Sequence, residues 1–235
     1  MTWRHGLFVH WPVDPDALES CVPSQLTLER RDGRAWVSVL PFVLVNVGLR
    51  GSPSITRLAV PELNVRTYVR YRGDPGLFFF SIDLGRPLFA AAIARTTRLP
   101  VTAARIRVSA IEDSVAFSSR RSLRPFAPSV DAVCRPGIDS GARFEATYEP
   151  VGETFTPDPG TLAHWLVERR RFYAPGDSDV LAGEIAHDPW PLQPAAVTIH
   201  ENTMFEVNGL PSPVDDPLVH YCGELPMTGS IPRRL

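Results

Sequence analysis

Proline lies between short apolar runs along the whole sequence, and this placement restricts the fold more than any other feature. The chain has 24 prolines in 235 residues, about twice the usual frequency. Because proline lacks a backbone N–H, it ends or interrupts most helices and strands. The sequence therefore predicts many short strands joined by turns, in a mainly antiparallel sheet or barrel. The predicted strands cover residues 36–44, 64–71, 77–84, 101–108, 114–120, 142–148 and 195–207.

Three segments carry signals for the start of a helix. Asp14 is a candidate N-cap before Pro15, and that helix is expected to end near Pro23. Pro87 opens an alanine-rich segment over residues 88–98. Thr161 is a candidate cap for a third helix whose apolar face would extend to residue 172. We expect these helices to cover the edges of the sheet.

Size, charge and cysteine content restrict the class of protein. A chain of 235 residues is expected to form one domain, over residues 1–235. The net charge of -2 offers no positive field for nucleic acid. The three cysteines form no C-x-x-C pair, and no run of about 18 apolar residues or signal peptide is present. The sequence therefore predicts a cytoplasmic protein that binds neither nucleic acid nor a membrane.

All 24 basic residues are arginine, so the chain contains no lysine. Coding bias in a GC-rich genome is a sufficient cause of this pattern. The chemical consequence is the same whatever the cause. No side-chain amine can form a Schiff base, and a P-loop lysine is likewise absent.

Residues 62–71 contain the most informative alternation. Glu62, Asn64, Arg66 and Tyr68 share one face of the predicted strand, while Val65 and its alternate neighbours share the other. We predict a hairpin with the apolar strand 77–84, which would place this polar face beside a buried strand. Two interpretations remain open: a solvated or ion-paired structural face, with Arg66 paired to Asp83, or a ligand site.

In the ligand-site interpretation, Glu62 is a candidate acid or base and Arg66 a candidate grip for a carboxylate, because its guanidinium donates two parallel hydrogen bonds. Further candidates in or beside such a pocket are Asn64, Tyr68, Asp83, Arg95, His10, Ser119 and His187. His10 and His187 precede turns rich in tryptophan and proline, which also favour a packing role. No histidine spacing indicates a metal site, and no glycine motif indicates a nucleotide cofactor.

Several segments, taken in order, carry a resemblance to a known family. They are His10-Trp11-Pro12-Val13, Trp36-Val37-Ser38-Val39-Leu40-Pro41-Phe42, Glu62-Leu63-Asn64-Val65-Arg66-Thr67-Tyr68-Val69, Phe79-Phe80-Ser81-Ile82-Asp83, Ala94-Arg95, Leu99-Pro100, Ser118-Ser119-Arg120 and His187-Asp188-Pro189-Trp190-Pro191-Leu192. Together they resemble the YqjF-like family, a domain of unknown function in the acetoacetate-decarboxylase-like superfamily. The resemblance implies a cone-shaped, largely antiparallel β-barrel with a few flanking helices, an internal pocket and an oligomer.

The sequence departs from the decarboxylases at the position of their nucleophile. In those enzymes a lysine after a Gly-Phe-Pro-like segment forms the Schiff base. The similar segment here is Arg98-Leu99-Pro100, and Val101 follows it. The resemblance also places Glu62 at a pocket glutamate. A Schiff-base decarboxylase is therefore excluded.

Two functional hypotheses follow from the sequence. The first is a pocket protein for a small anionic molecule such as an organic acid, with or without lysine-independent catalysis, which needs no cofactor. The second is a non-enzymatic β-barrel that serves oligomerisation or partner binding. They differ in whether the face of Glu62, Asn64 and Arg66 lines a cavity.

Overall fold

The computed structural model describes residues 1–48, 57–121 and 141–235. Glycine and proline in the sequence also predict loops over residues 50–53 and 126–140, and both segments lie outside the described residues. Within those ranges the protein is mainly β, with thirteen strands and four helices. The strands are β1 (Thr2–Val13), β2 (Thr27–Leu28), β3 (Ala35–Val47), β4 (Leu58–Tyr71), β5 (Asp74–Leu84), β6 (Val101–Ile111), β7 (Ser114–Arg121), β8 (Arg143–Pro150), β9 (Arg171–Pro175), β10 (Val180–His187), β11 (Gln193–Asn202), β12 (Leu218–Gly229) and β13 (Arg233–Arg234). The helices are α1 (Pro15–Glu19), α2 (Pro87–Thr97), α3 (Leu162–Val167) and α4 (Met204–Val207).

The predicted mainly antiparallel sheet is confirmed, and each predicted strand overlaps an observed one. The hairpin between β4 and β5 is also confirmed, with Tyr71 paired to Asp74. Several boundaries were wrong. β4 begins at Leu58 rather than at residue 64, and α1 ends at Glu19 rather than near Pro23. The last predicted strand ends at Asn202, because residues 204–207 form α4. The third helix ends at Val167, because Phe172 pairs with Gly183 in the β9–β10 ladder.

Proline interrupts fewer strands than its placement predicts. Pro12 lies inside β1 and Pro41 inside the 13-residue β3. The β1–β3 register shifts between Arg4 and Val9, opposite the stretch of β3 that contains Pro41. A strand tolerates proline at such an irregularity, because the ladder is already broken there.

The strand pairings close two rings that share one wall. The shared wall is formed by β12, β1, β3, β4 and β5. On one side β9 and β10 connect β5 back to β12, which closes a ring of seven strands. On the other side β6, β7, β8 and β11 make the same connection and close a ring of nine strands. Most of these pairings are antiparallel, but β5–β6 and β5–β9 are parallel.

The two faces of the shared wall contribute to two separate apolar cores. Leu7, Val9, Val37, Leu63 and Val65 belong to the first core, which continues into β7 and β8. The opposite face of the wall contributes to the second core, which α2, α3 and β9 also join. Its wall residues include Phe8, Trp36, Leu40, Phe42 and Tyr68. Because side chains alternate along a strand, the wall is buried on both faces.

Candidate functional site

The predicted polar face of β4 lies on the second-core side of the shared wall. Glu62, Asn64 and Arg66 alternate with Leu63 and Val65, which belong to the first core. The residues paired with Glu62 and Asn64 on β3 are both second-core residues, Phe42 and Leu40. Charged and amide groups are thus placed among apolar side chains rather than on an outer surface.

Strand register extends this polar face onto two neighbouring strands. Ser38 of β3 pairs directly with Arg66 of β4 and with His10 of β1. Side chains that are directly opposite across a ladder share a face. His10, Ser38 and Arg66 therefore form one row across three strands, and all three are buried.

Hydrogen bonds connect this row to Tyr68. Ser38 Oγ lies 2.6 Å from His10 Nδ1 and 2.6 Å from the Tyr68 hydroxyl, and that hydroxyl lies 3.2 Å from His10 Nδ1. The Arg66 guanidinium lies near the Tyr68 hydroxyl, and its charge opposes the rise in the pKa of Tyr68 that burial causes. His10, Ser38 and Tyr68 therefore form one hydrogen-bonded network, with Arg66 beside it.

The positive charge of Arg66 favours one direction for the protons of this network. The Tyr68 oxygen is attracted to that charge, so the Tyr68 proton goes to Ser38. The Ser38 hydroxyl can then donate to His10 Nδ1. With Nδ1 as acceptor, a neutral imidazole carries its proton on Nε2. Burial lowers the pKa of His10 well below its usual value, with the Arg66 charge as a second cause, so the neutral form is the expected one.

Three buried polar atoms of this cluster have no protein partner among the described residues. They are His10 Nε2, Asn64 Oδ1 and Arg66 Nε. A buried polar atom without a hydrogen bond costs about 1–3 kcal/mol. The cluster thus holds two unpaired donors and one unpaired acceptor, a set that a bound polar molecule or water would satisfy.

Glu62 is the carboxyl group of the cluster. The Asn64 side-chain amide donates to Glu62 Oε1 at 3.0 Å, which leaves Asn64 Oδ1 as the free acceptor. Burial raises the pKa of Glu62 to about 7, although its bond from Asn64 and the nearby Arg66 charge oppose that rise. The side chain keeps some contact with solvent. A carboxyl with a pKa near neutrality can both accept and donate a proton at physiological pH.

Aromatic and charged side chains from other elements cover the Tyr68 side of the cluster. The ring centroid of Trp165, on α3, lies 4.7 Å from that of Tyr68. The Arg169 guanidinium lies 4.5 Å from the Trp165 centroid and 5.4 Å from the Tyr68 centroid. Glu29 pairs with Arg169 at 2.5 Å and with Arg70 at 2.8 Å. The positive charge of Arg169 is therefore balanced locally.

A second group of aromatic rings packs near His10 on the same face. Phe8 stacks on His10 with 5.8 Å between their ring centroids, and Trp190 lies edge-on to Phe8 with 4.9 Å between theirs. His187 lies 4.9 Å from Trp190, and its Nδ1 contacts the Asp188 carbonyl at 2.6 Å. His220 pairs across the ladder with Phe8. Nδ1 of His220 and Nε1 of Trp190 are also buried without a protein partner among the described residues.

The remaining predicted residues lie elsewhere. Asp83 pairs across the ladder with Leu63, on the first-core face, so the suggested ion pair of Asp83 with Arg66 was wrong. Asp83 instead pairs with Arg121 at 2.9 Å. Ser119 is buried two residues before Arg121 on the inward face of β7. Arg95 is exposed on α2. The structure thus brings together Glu62, Asn64, Arg66, Tyr68 and His10, with His187 nearby.

Val101, which follows the segment Arg98-Leu99-Pro100, lies on the same face as this cluster. It pairs in parallel with Ile82, and Ile82 pairs with Asn64. Both Val101 and Ile82 are second-core residues. An apolar side chain therefore stands at this position, with one strand between it and the polar face of β4.

Several residues of the cluster were missed by the sequence analysis. Ser38 lies in the apolar segment 36–44, where a single serine carries no signal of its own. His220 and Trp190 come from distant parts of the chain. Only strand register, which the sequence does not specify, brings these residues to the polar face of β4.

In the described ranges, residues 1–48, 57–121 and 141–235, no group of three or more His, Cys, Asp or Glu side chains is arranged to hold a metal ion. No helix in those ranges is long and apolar enough to cross a membrane.

Comparison with known proteins finds relatives along almost the whole chain. Residues 1–226 match the family model DUF2071, described as an uncharacterized conserved protein. The uncharacterized protein YqjF of Bacillus subtilis (strain 168) is 38% identical over 221 residues, which are 94% of this chain and 85% of YqjF.

Solved structures with the same fold are much more distant in sequence. The enduracididine biosynthesis enzyme MppR complexed with pyruvate superposes with a TM-score of 0.65 at 12% identity, covering 99% of this chain and 88% of MppR. The acetoacetate decarboxylase of Legionella pneumophila superposes with a TM-score of 0.55 at 14% identity, covering 100% of this chain and 87% of the enzyme. At this identity the likeness establishes an acetoacetate-decarboxylase-like fold.

Proposed function

The chain belongs to the DUF2071 family of uncharacterized conserved proteins, and we propose that it binds a small organic acid in a cavity on the second-core face. The cavity would be lined by Glu62, Asn64, Arg66 and His10. In this proposal the ring of seven strands is the wall of the cone-shaped barrel that the family resemblance implies. The single observation that carries the proposal is the set of three buried, unpartnered polar atoms on that face.

The chemistry of those atoms indicates an anionic ligand with oxygen acceptors. Arg66 and His10 each offer an unpaired N–H, whereas Asn64 offers an unpaired carbonyl oxygen. A 2-oxo acid fits this set, because its carboxylate accepts from a guanidinium and its oxo oxygen accepts from a neutral imidazole. MppR, which shares the fold, has been solved with pyruvate, which is a 2-oxo acid.

We assign Glu62 the transfer of a proton to and from the bound acid. Its carboxylate would take a proton from the carbon next to the oxo group. The C–H electron pair would form a C=C bond while the C=O π pair moves onto the oxo oxygen, which gives an enolate. The Nε2–H of His10 would donate a hydrogen bond to that oxygen. A donor aimed at developing negative charge is an effective source of transition-state stabilisation. This route needs no lysine.

Binding is tested by thermal shift and calorimetry with a panel of 2-oxo and 3-oxo acids of two to five carbons. A ligand that binds the folded form alone raises the melting temperature by mass action. We expect at least one acid to stabilise the wild type but not Arg66→Met or His10→Gln. Arg34→Met, which changes an exposed arginine paired with Asp215, is the matched control. The absence of a shift with every acid would overturn the proposal.

Proton transfer is tested separately, by proton NMR of the bound acid in deuterated buffer. The wild type should exchange the protons next to the oxo group faster than buffer alone. Glu62→Gln should bind the acid but lose the exchange. If Glu62→Gln exchanges as fast as the wild type, Glu62 is not the base.

A further inference from the structure

A row of three arginines crosses the outer face of the sheet formed by β6, β7 and β8. Arg105 of β6 pairs directly with Arg120 of β7, and Arg120 pairs directly with Arg143 of β8. Arg105 and Arg120 are exposed, while the alternate residues of β7 point into the first core. Because neighbouring strands lie about 4.8 Å apart, the row extends over about 10 Å.

These arginines and Arg107 line a groove of about 320 Å³. Glu145 and Glu201 also line it, so four positive charges face two negative ones. Arg143 forms an ion pair with Glu201, with 3.3 Å between Nη1 and Oε1. Within the described residues, Arg105, Arg107 and Arg120 take part in no ion pair.

Folding alone does not account for this arrangement. Like charges that are directly opposite across a ladder destabilise a sheet, and two such pairs occur side by side here. Exposed side chains are easily replaced on an outer face, so the repulsion is not imposed by packing. A bound anion would be attracted by the same three charges that repel one another in the free protein.

We propose that this groove binds the oligophosphate group of a small molecule. Each guanidinium presents a planar fork that matches phosphate oxygens with two hydrogen bonds. A chain of two or three phosphates can contact several members of a row that extends over three strands, whereas a single carboxylate can contact only one or two. The site lies on a different face from the proposed organic-acid cavity and does not depend on it.

The test is calorimetric titration of inorganic tripolyphosphate, without magnesium, into the full-length protein at low and at physiological salt. The wild type should show one saturable site whose affinity falls with salt. Arg120→Gln should bind about tenfold more weakly or worse, as expected for the loss of a charged hydrogen bond. Arg120→Lys should lie between the two. The control Arg30→Gln, on an exposed arginine paired with Asp16 and Glu19, should bind like the wild type.

A second readout separates this proposal from a structural role for Arg120. Without ligand, Arg120→Gln should melt at or above the wild-type temperature, because repulsion is relieved. Absence of saturable binding, unchanged binding by Arg120→Gln, or equal affinity for citrate would overturn the proposal. A lower melting temperature of unliganded Arg120→Gln would also contradict it.

Adenosine triphosphate distinguishes the two sources of such a group. Equal binding of the nucleotide and tripolyphosphate identifies the phosphate chain as the recognised part, and binding of tripolyphosphate alone identifies free oligophosphate as the ligand. Binding of the nucleotide alone would overturn the proposal.

Discussion

Arg121 donates a hydrogen bond from Nε to Oδ1 of Asp83 at 2.9 Å, and both side chains are almost fully buried. The pair lies on the first-core face of the wall, opposite the face of Glu62 and Arg66. Burial raises the pKa of Asp83, and the Arg121 charge opposes that rise. The ion pair therefore offsets part of the cost of burying the two charges, and it places Asp83 apart from the polar face of β4.

Removing one partner of this pair should destabilise the fold strongly. Arg121→Met leaves the Asp83 carboxylate buried without a cation, which costs about 3–5 kcal/mol. The double variant Asp83→Leu/Arg121→Met should recover most of that loss. Urea unfolding of the two single variants and the double variant measures the coupling. A loss of less than about 1 kcal/mol in Arg121→Met would contradict this account.

The stability of the protein should depend on the protonation of Glu62. Its folded pKa of about 7 lies above its ordinary value of 4.5, so the folded state retains a proton that the unfolded state releases. The stability that the folded protein gains from protonated Glu62 is fully present below pH 4.5 and is lost as the pH rises through 7.

Glu62→Gln lacks this titration. Its free energy of unfolding relative to the wild type should therefore rise by about 1–3 kcal/mol between pH 4.5 and pH 8. Unfolding free energies of both proteins across that pH range provide the measurement. Parallel pH curves for the two proteins would show that Glu62 does not titrate in this way.

Ser38 and Tyr68 should differ in their contributions to stability. Ser38→Ala should cost about 1 kcal/mol, because the Tyr68 hydroxyl already lies 3.2 Å from His10 Nδ1 and can donate to it directly. Tyr68→Phe should cost about 1–3 kcal/mol, because it removes the hydroxyl that bonds Ser38 and lies beside the buried Arg66 charge. Chemical denaturation of both variants gives the comparison, and the reverse order would contradict the proposed proton direction.

Glu29 contacts two arginines of very different exposure, which provides a matched comparison. Glu29→Ala leaves buried Arg169 without its carboxylate and should cost about 3–5 kcal/mol. Arg70→Ala removes a half-exposed partner of the same carboxylate and should cost less than about 1 kcal/mol. Thermal unfolding of the two variants compares them. Similar losses would show that Arg169 does not depend on Glu29.

Introducing an amine at position 101 should introduce reactivity towards oxo acids, if the organic-acid cavity adjoins Val101. Val101→Lys places a lysine beside Ile82 and Asn64, where burial lowers its pKa and favours the nucleophilic form. Borohydride reduction in the presence of acetoacetate should then trap a covalent adduct, detected by mass spectrometry. The lysine-free wild type is the control. A folded variant without an adduct would place the cavity away from Val101.

Much of the fold followed from local patterns in the sequence. Alternation along β4 and the helix-start signals at Asp14, Pro87 and Thr161 are properties of short segments, so they are readable without tertiary information. The absence of lysine is equally local, and it excluded Schiff-base chemistry. The polar face of Glu62, Asn64 and Arg66 was also predicted, because period-two alternation fixes which side chains share a face.

The tertiary structure alone decided that β3 and β1 lie on the other side of β4 and which residues of the neighbouring strands share its polar face. His10 and Ser38 come to Arg66 by the register of β1, β3 and β4, while Asp83 falls on the opposite face, although it lies in the strand paired with β4. A shift of one residue in any of these ladders would exchange the two faces. Register depends on the packing of two cores against one wall, and that long-range information is not contained in any single segment.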